Sequence, residues 1–126
     1  MGRVVVLGGV LCLLAAAAMA QDPVKVDPAH YKVEFENPRV RVLHIQYGPH
    51  EKSVMHRHPS AVAVYLTDQD AKFTLPDGKT VARQGKAGQA VWTPAETHLP
   101  ENVSDKPLEV ILVELKGGEG AHRAKK

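Results

Sequence analysis

Residues 48–66 read GPHEKSVMHRHPSAVAVYL, and this stretch decides how the rest of the chain is understood. His56 and His58 lie two apart. On an extended strand such residues point to the same face, about 6.5–7 Å apart along the backbone, so both imidazoles can converge on one ion. Just beyond Pro59, Ala61 to Leu66 is apolar on both faces, which suits a strand in the interior of a sandwich.

Working outward, the pattern is strand after strand. Tyr31, Val33 and Phe35 alternate with Lys32 and Glu34, the period of a half-buried strand, and Asn37-Pro38 turns the chain. Val40 to Tyr47 is a second extended run, closed by Gly48-Pro49. Lys72 to Leu75 and Lys79 to Arg83 flank Pro76-Asp77-Gly78, where Pro presets one dihedral and Gly accepts a positive φ. Ala90 to Thr93 and Leu108 to Leu115 complete the set. No segment carries a capped helical stripe, so the expected class is all-β, a β-sandwich or small barrel.

The ends are read separately. Arg3, the apolar run Val4 to Leu14 and Ala18-Met19-Ala20 have the form of a signal peptide over 1–20, which places the protein in the periplasm or outside the cell. Its removal takes Arg3 and no acid, leaving 15 basic residues against 14 acidic, and takes Cys12, the only cysteine. The expected domain, 21–116, then has no disulfide and no thiolate ligand, so any metal site must use histidine and carboxylate. Residues 117–126 read as a disordered tail, with His122 solvated among basic neighbours.

Composition narrows the function classes. The chain has 126 residues, a formal net charge of +2 and 5% aromatic residues, with no basic cluster outside its last few positions. Nucleic-acid binding requires clustered cations or stacking rings, so no nucleic-acid partner is expected. No membrane partner is expected either once the leader is cut.

The second informative element is Gly88 to Asn102, in which His98 follows Trp92-Thr93-Pro94-Ala95-Glu96-Thr97 near the end of a later strand. Three neutral imidazoles on a rigid sheet, with positions left for water or substrate, make an open metal site. From Gly48 to Asn102 the chain resembles the two motifs of the cupin superfamily. Gly48, His56 and His58 match the opening of the first, with two extra residues before the histidines. Gly88, Pro94, His98 and Asn102 match the second, and Gly88 to Pro94 and His98 to Asn102 keep its spacings.

The resemblance implies a single-domain cupin, a jelly roll or double-stranded β-helix. It would hold a divalent transition metal (Fe, Ni, Cu, Zn or Mn) on His56, His58 and His98. Two departures stand out. The family's glutamate ligand should fall at Val62 or Ala63, both apolar, and Pro94 to His98 is one residue short, with Glu96 where glycine is usual. A site of three histidines carries one negative charge fewer than the common one, which favours anionic ligands. Glu51 or Glu96 is a substitute carboxylate; Glu96, nearer His98, is the candidate catalytic group.

Tyr65, Trp92 and His44 are the candidate substrate-pocket residues, Asn102 a structural one, and His30 and His50 are expected to face solvent. The implied partner is a small-molecule ligand, and a homodimer through edge strands is compatible with the long apolar run at Leu108 to Leu115. Three functions fit: a dioxygenase-like metal enzyme (isomerases and decarboxylases also occur among small cupins) acting on a small chelating substrate; a non-catalytic metal- or ligand-binding protein of the cell envelope; and a metal-free scaffold whose histidines only line a pocket.

Overall fold

The structure, a computed structural model, describes residues 21–117. The expected leader over 1–20, Cys12, His122 and all but the first residue of the expected tail lie outside the described residues. Nine strands follow one helical turn. They are α1 (Pro23–Val26), β1 (Tyr31–Glu36), β2 (Val40–Tyr47), β3 (His56–His58), β4 (Ala61–Tyr65), β5 (Gln69–Thr74), β6 (Thr80–Gly85), β7 (Ala90–Thr93), β8 (Glu96–Asn102) and β9 (Leu108–Leu115).

The strands make two antiparallel sheets, a five-stranded one ordered β1-β2-β9-β4-β7 and a four-stranded one ordered β3-β8-β5-β6. The expected all-β sandwich is therefore present. Strand β9 shows why these sequences become strands. Leu108, Val110, Leu112 and Glu114 are buried while the residues between them are partly exposed, the alternation of one face turned to a core. In register on β2 stand Tyr47, Ile45, Leu43 and Arg41, so the inward faces of the two strands coincide. Gly78 has φ +85° in the turn joining β5 and β6, as the Pro-Asp-Gly signal requires.

Two elements differ from the sequence reading. His98 lies mid-way along a strand of its own, β8, not near the end of the preceding one. Pro94 and Pro100 break the alternating pattern there, and β8 gains its stability by pairing β3 with its first half and β5 with its second. At the start of the domain, Asp22 caps a single turn, its carboxylate accepting from Val24 N at 2.9 Å. Pro23 occupies the first helical position, where its missing N–H costs nothing.

The core runs through Leu43, Ile45 and Tyr47 of β2, Leu108, Val110 and Leu112 of β9, and Tyr31. At the inward positions of β4 and β5 stand Ala61, Ala63 and Ala71, too small to fill the sandwich. A cavity of about 380 Å³ remains, open to solvent on one side. Sealed and dry, a void of that size would cost about 9 kcal/mol, comparable to the whole stability of a small domain. It survives because it is open, and its shape is that of a ligand pocket.

Candidate metal centre

The short strand β3 carries His56 and His58 inward with Arg57 outward. Its partner β8 sets His98 directly opposite His56, and Glu96 opposite His58. The three rings thus meet edge to face, with centroids 4.8 to 5.3 Å apart. All three residues are buried, and each offers one nitrogen within 4.8 Å of the others. Three buried histidines therefore stand close enough to hold a single metal ion.

The hydrogen bonds behind the rings decide which nitrogens face the centre. His56 Nδ1 lies 2.8 Å from the carbonyl of Val54, and His58 Nδ1 lies 2.7 Å from Glu114 Oε2. Carbonyl and carboxylate oxygens only accept, so both Nδ1 atoms donate, and Nε2 is the nitrogen of each ring left to face the centre. These Nε2 atoms are 3.1 Å apart. Two nitrogens at about 2.1 Å from one ion, at a right angle, would stand about 3.0 Å apart. The separation fits a shared cation.

Electrostatics agree with that fit. Burial, reinforced by repulsion from His58, lowers the pKa of His56 to about 4; burial and the neighbouring His58 and His56 lower that of His98 to about 2. Both rings are neutral at physiological pH, as metal ligands must be. His98 Nδ1 is buried without a hydrogen-bond partner, 3.4 Å from Glu96 Oε2.

Among the described residues, no carboxylate joins the trio as a ligand. Ala63, one of the two positions where the family pattern has glutamate, faces the cavity, and Glu51 is engaged elsewhere, with the amide of Gly48 and with His30 Nε2 at 3.1 Å. Glu96 borders the cavity but is held by Arg83, whose Nη2 reaches its two oxygens at 3.2 and 3.3 Å.

The carboxylate that the sequence reading missed is Glu114, only 2% exposed. One oxygen accepts from His58 and the other from Arg41 Nε at 2.6 Å, and Arg41 Nη1 reaches Asp22 at 2.7 Å. Burial pushes the Glu114 carboxyl up, but the bonds from His58 and Arg41 outweigh it and hold it below its ordinary value. Glu114 occupies the fourth inward position of LEVILVEL, and a lone acid at that parity was the available signal.

Tyr65 and His98 line the cavity. Trp92 borders it too but is 59% exposed, on the opposite parity from Val91 and Thr93. His44 lies away from the cavity, between Glu34 at 3.0 Å and Glu109 at 3.1 Å, because it shares the outward parity of Val40 and Val42, not that of Ile45. His30, expected in solvent, is largely covered. It stacks on Tyr47 with ring centroids 4.3 Å apart and bonds Asp27 at 2.8 Å. His50 is exposed beside Asp105. Asn102 is structural, its amide donating to the carbonyls of Gly48 and Lys106.

Two further residues shape the site. Tyr31 and Tyr47 both line the cavity, their hydroxyls meet at 2.5 Å, and the Tyr31 ring lies edge-on to His56.

Comparison with solved structures agrees on the fold. A cupin domain from Bordetella pertussis Tohama I superposes with a TM-score of 0.64 at 27% identity, over 69% of this chain and 92% of that one. An RmlC-like cupin family protein from Methanocaldococcus jannaschii, with a double-stranded β-helix fold, gives 0.54 at 20% identity over 68% and 77%. The polyketide cyclase RemF from Streptomyces resistomycificus gives 0.53 at 15% identity over 71% and 66%. No protein-family model matches the sequence, and no curated protein does. The chain has the cupin-type double-stranded β-helix fold.

Proposed function

We propose that the protein is an exported, metal-dependent cupin enzyme whose ion is held by His56, His58 and His98. Its substrate is a small, largely apolar organic molecule that reaches the ion through oxygen atoms. The observation that carries this reading is the pair of Nε2 atoms 3.1 Å apart, in a buried cluster with His98 whose ligand atoms all lie within 4.8 Å of one another. The ion would supply a Lewis-acid position, and the class of reaction is oxygen-dependent cleavage of a chelating substrate. The cavity beside the trio is walled by Ile45, Ala63, Ala71 and Val91, which suits an apolar body. Export rests on the leader over 1–20.

A second reading, non-catalytic binding of a metal or small ligand, is favoured by one feature. Glu96 and Glu101, the carboxylates bordering the cavity, are both ion-paired, with Arg83 and Lys72.

The test begins with metal analysis of protein purified without chelator. We expect close to one transition-metal ion per chain, lost in the His56→Ala/His58→Ala double variant; full occupancy in that variant overturns the site. Oxygen uptake with small vicinal diols and hydroxy-acids then separates the readings. Turnover that disappears in the same variant supports the enzyme, whereas binding without substrate depletion supports the second reading.

A further inference from the structure

The three histidines lack the carboxylate ligand of the family pattern, yet a carboxylate stands directly behind one of them. Glu114 projects from the central strand of the large sheet to His58 on the small one, so this bond crosses the sandwich. Ala61, its cross-strand neighbour on β4, is fully buried and small enough to leave it room. Arg41, opposite it on β2, takes the other oxygen and passes the chain of bonds to Asp22.

We propose that Glu114, held by Arg41 and Asp22, is the positioning residue of the metal centre, and that the segment opening the described domain is thereby part of the site. This rests on the three-histidine ion reading above.

Two arguments support it. The first is charge. Glu114 and Arg41 alone would cancel, but Asp22 makes the group net −1, so it restores from behind His58 the negative charge that the ligand set lacks. Asp22 also caps α1, and the carbonyl of Gln21 accepts from Arg57 N at 3.0 Å, between the two ligands of β3. The same few residues brace the ligand strand and anchor the relay. The second argument is the tautomer. With a carboxylate at Nδ1, His58 must keep its proton there and leave Nε2 free for the ion.

The tautomer argument makes a sharp test, because Arg41 can only donate. In Glu114→Gln the amide oxygen is claimed by Arg41, so the NH₂ faces His58 Nδ1 and donates to it. The His58 proton is driven to Nε2, and the ligating atom is blocked. In Arg41→Met/Glu114→Gln the amide is free to turn its oxygen back to Nδ1. A residue that merely filled space would show no such reversal.

The measurements are the His58 tautomer by ¹⁵N NMR of the metal-free protein and the affinity for Co²⁺ by absorption titration. We expect an Nδ1–H proton in the wild type. Glu114→Gln should show Nε2–H and bind Co²⁺ 10- to 100-fold more weakly, on the order of other outer partners of metal ligands. The double variant should regain Nδ1–H and bind more tightly than Glu114→Gln. Asp22→Asn, at the partly exposed end, should lose on the order of threefold, the scale of one such ion pair.

An Nε2–H proton in the wild type overturns the proposal without any variant being made. So does equal Co²⁺ affinity in wild type and Glu114→Gln, or an Asp22→Asn protein indistinguishable from wild type. Wild-type protein that takes up no Co²⁺ while His58 shows Nδ1–H places the failure in the ion reading, and removes the relay's purpose with it.

Discussion

Without metal, the protein should lose stability between pH 8 and pH 5, and the loss should trace to the ligand histidines. An unfolded imidazole with its ordinary value of 6.5 is almost fully protonated at pH 5, whereas folded His56, at about 4, and His98, at about 2, stay neutral. The unfolded state therefore binds more protons, and folding weakens as pH falls. For each group the ratio of binding polynomials at pH 5 is about 30, or about 2 kcal/mol. Two groups oppose the trend. Burial lowers His30, but its bonds to Asp27 and Glu51 win and raise it; the bond to Glu109, with that to Glu34, raises His44 against a smaller burial effect. Their contribution is full at low pH and fades as pH rises. Glu114, held low, acts only below its ordinary value of 4.5, outside this window.

A difference measurement removes the opposing groups. Urea unfolding in EDTA at pH 8 and pH 5 should show the wild type falling further than His98→Phe by about 2 kcal/mol. That substitution is chosen because the His98 ring already packs on Phe73, centroids 4.4 Å apart. An identical pH dependence in the two proteins would refute the argument that burial keeps His98 neutral.

Three other perturbations address the site. Tyr31→Phe leaves the Tyr47 hydroxyl without its buried partner and should cost about 1–2 kcal/mol by urea denaturation; no loss would mean that water replaces the bond. Gly85→Ala places a methyl against the Tyr65 ring, which must shift in the cavity wall; the variant should bind metal as the wild type does while any oxygen-uptake activity changes in KM. Ala63→Phe fills the cavity and should abolish turnover at unchanged metal content, as read by elemental analysis.

Much of the architecture is legible because strands announce themselves by a period of two. LEVILVEL and VRVLHIQY show which face is inside, and the face explains what was misread. His44 has the parity of Val40 and Val42, so it had to leave the cavity, while Glu114 has the parity of Leu112 and had to enter the interior. The HxH pair was legible for the same reason. The meeting with His98 was not derivable by pattern, because it depends on the pairing of His56 with His98 across β3 and β8. The sequence reading grouped His98 with the pair as a third imidazole, and the family resemblance supported that grouping. Strand β8 itself was hidden by its prolines, which suppress the alternation although the pairing persists. The capped turn at Asp22-Pro23 was present as a signal, but one turn is too short to show a stripe.

The Glu114 group is itself evidence that this end of the sandwich is kept for function. The buried pair of Glu114 and His58, extended through the part-buried Arg41 to Asp22, gains little in stability over apolar side chains of the same volume, which are often equal or better. Elsewhere between the sheets the same strands use that option, with Leu43 against Leu112 and Ile45 against Val110. Arg41 against Glu114 is the single pair of that ladder's inward positions where charge replaces packing. It stands behind His58, which itself lines the cavity that Ala63 and Ala71 leave open. Two departures from the most stable arrangement, a charged pair and an unfilled cavity, thus converge on the histidines. Neither is what packing alone favours, and both are what the proposed ion with a ligand beside it would need.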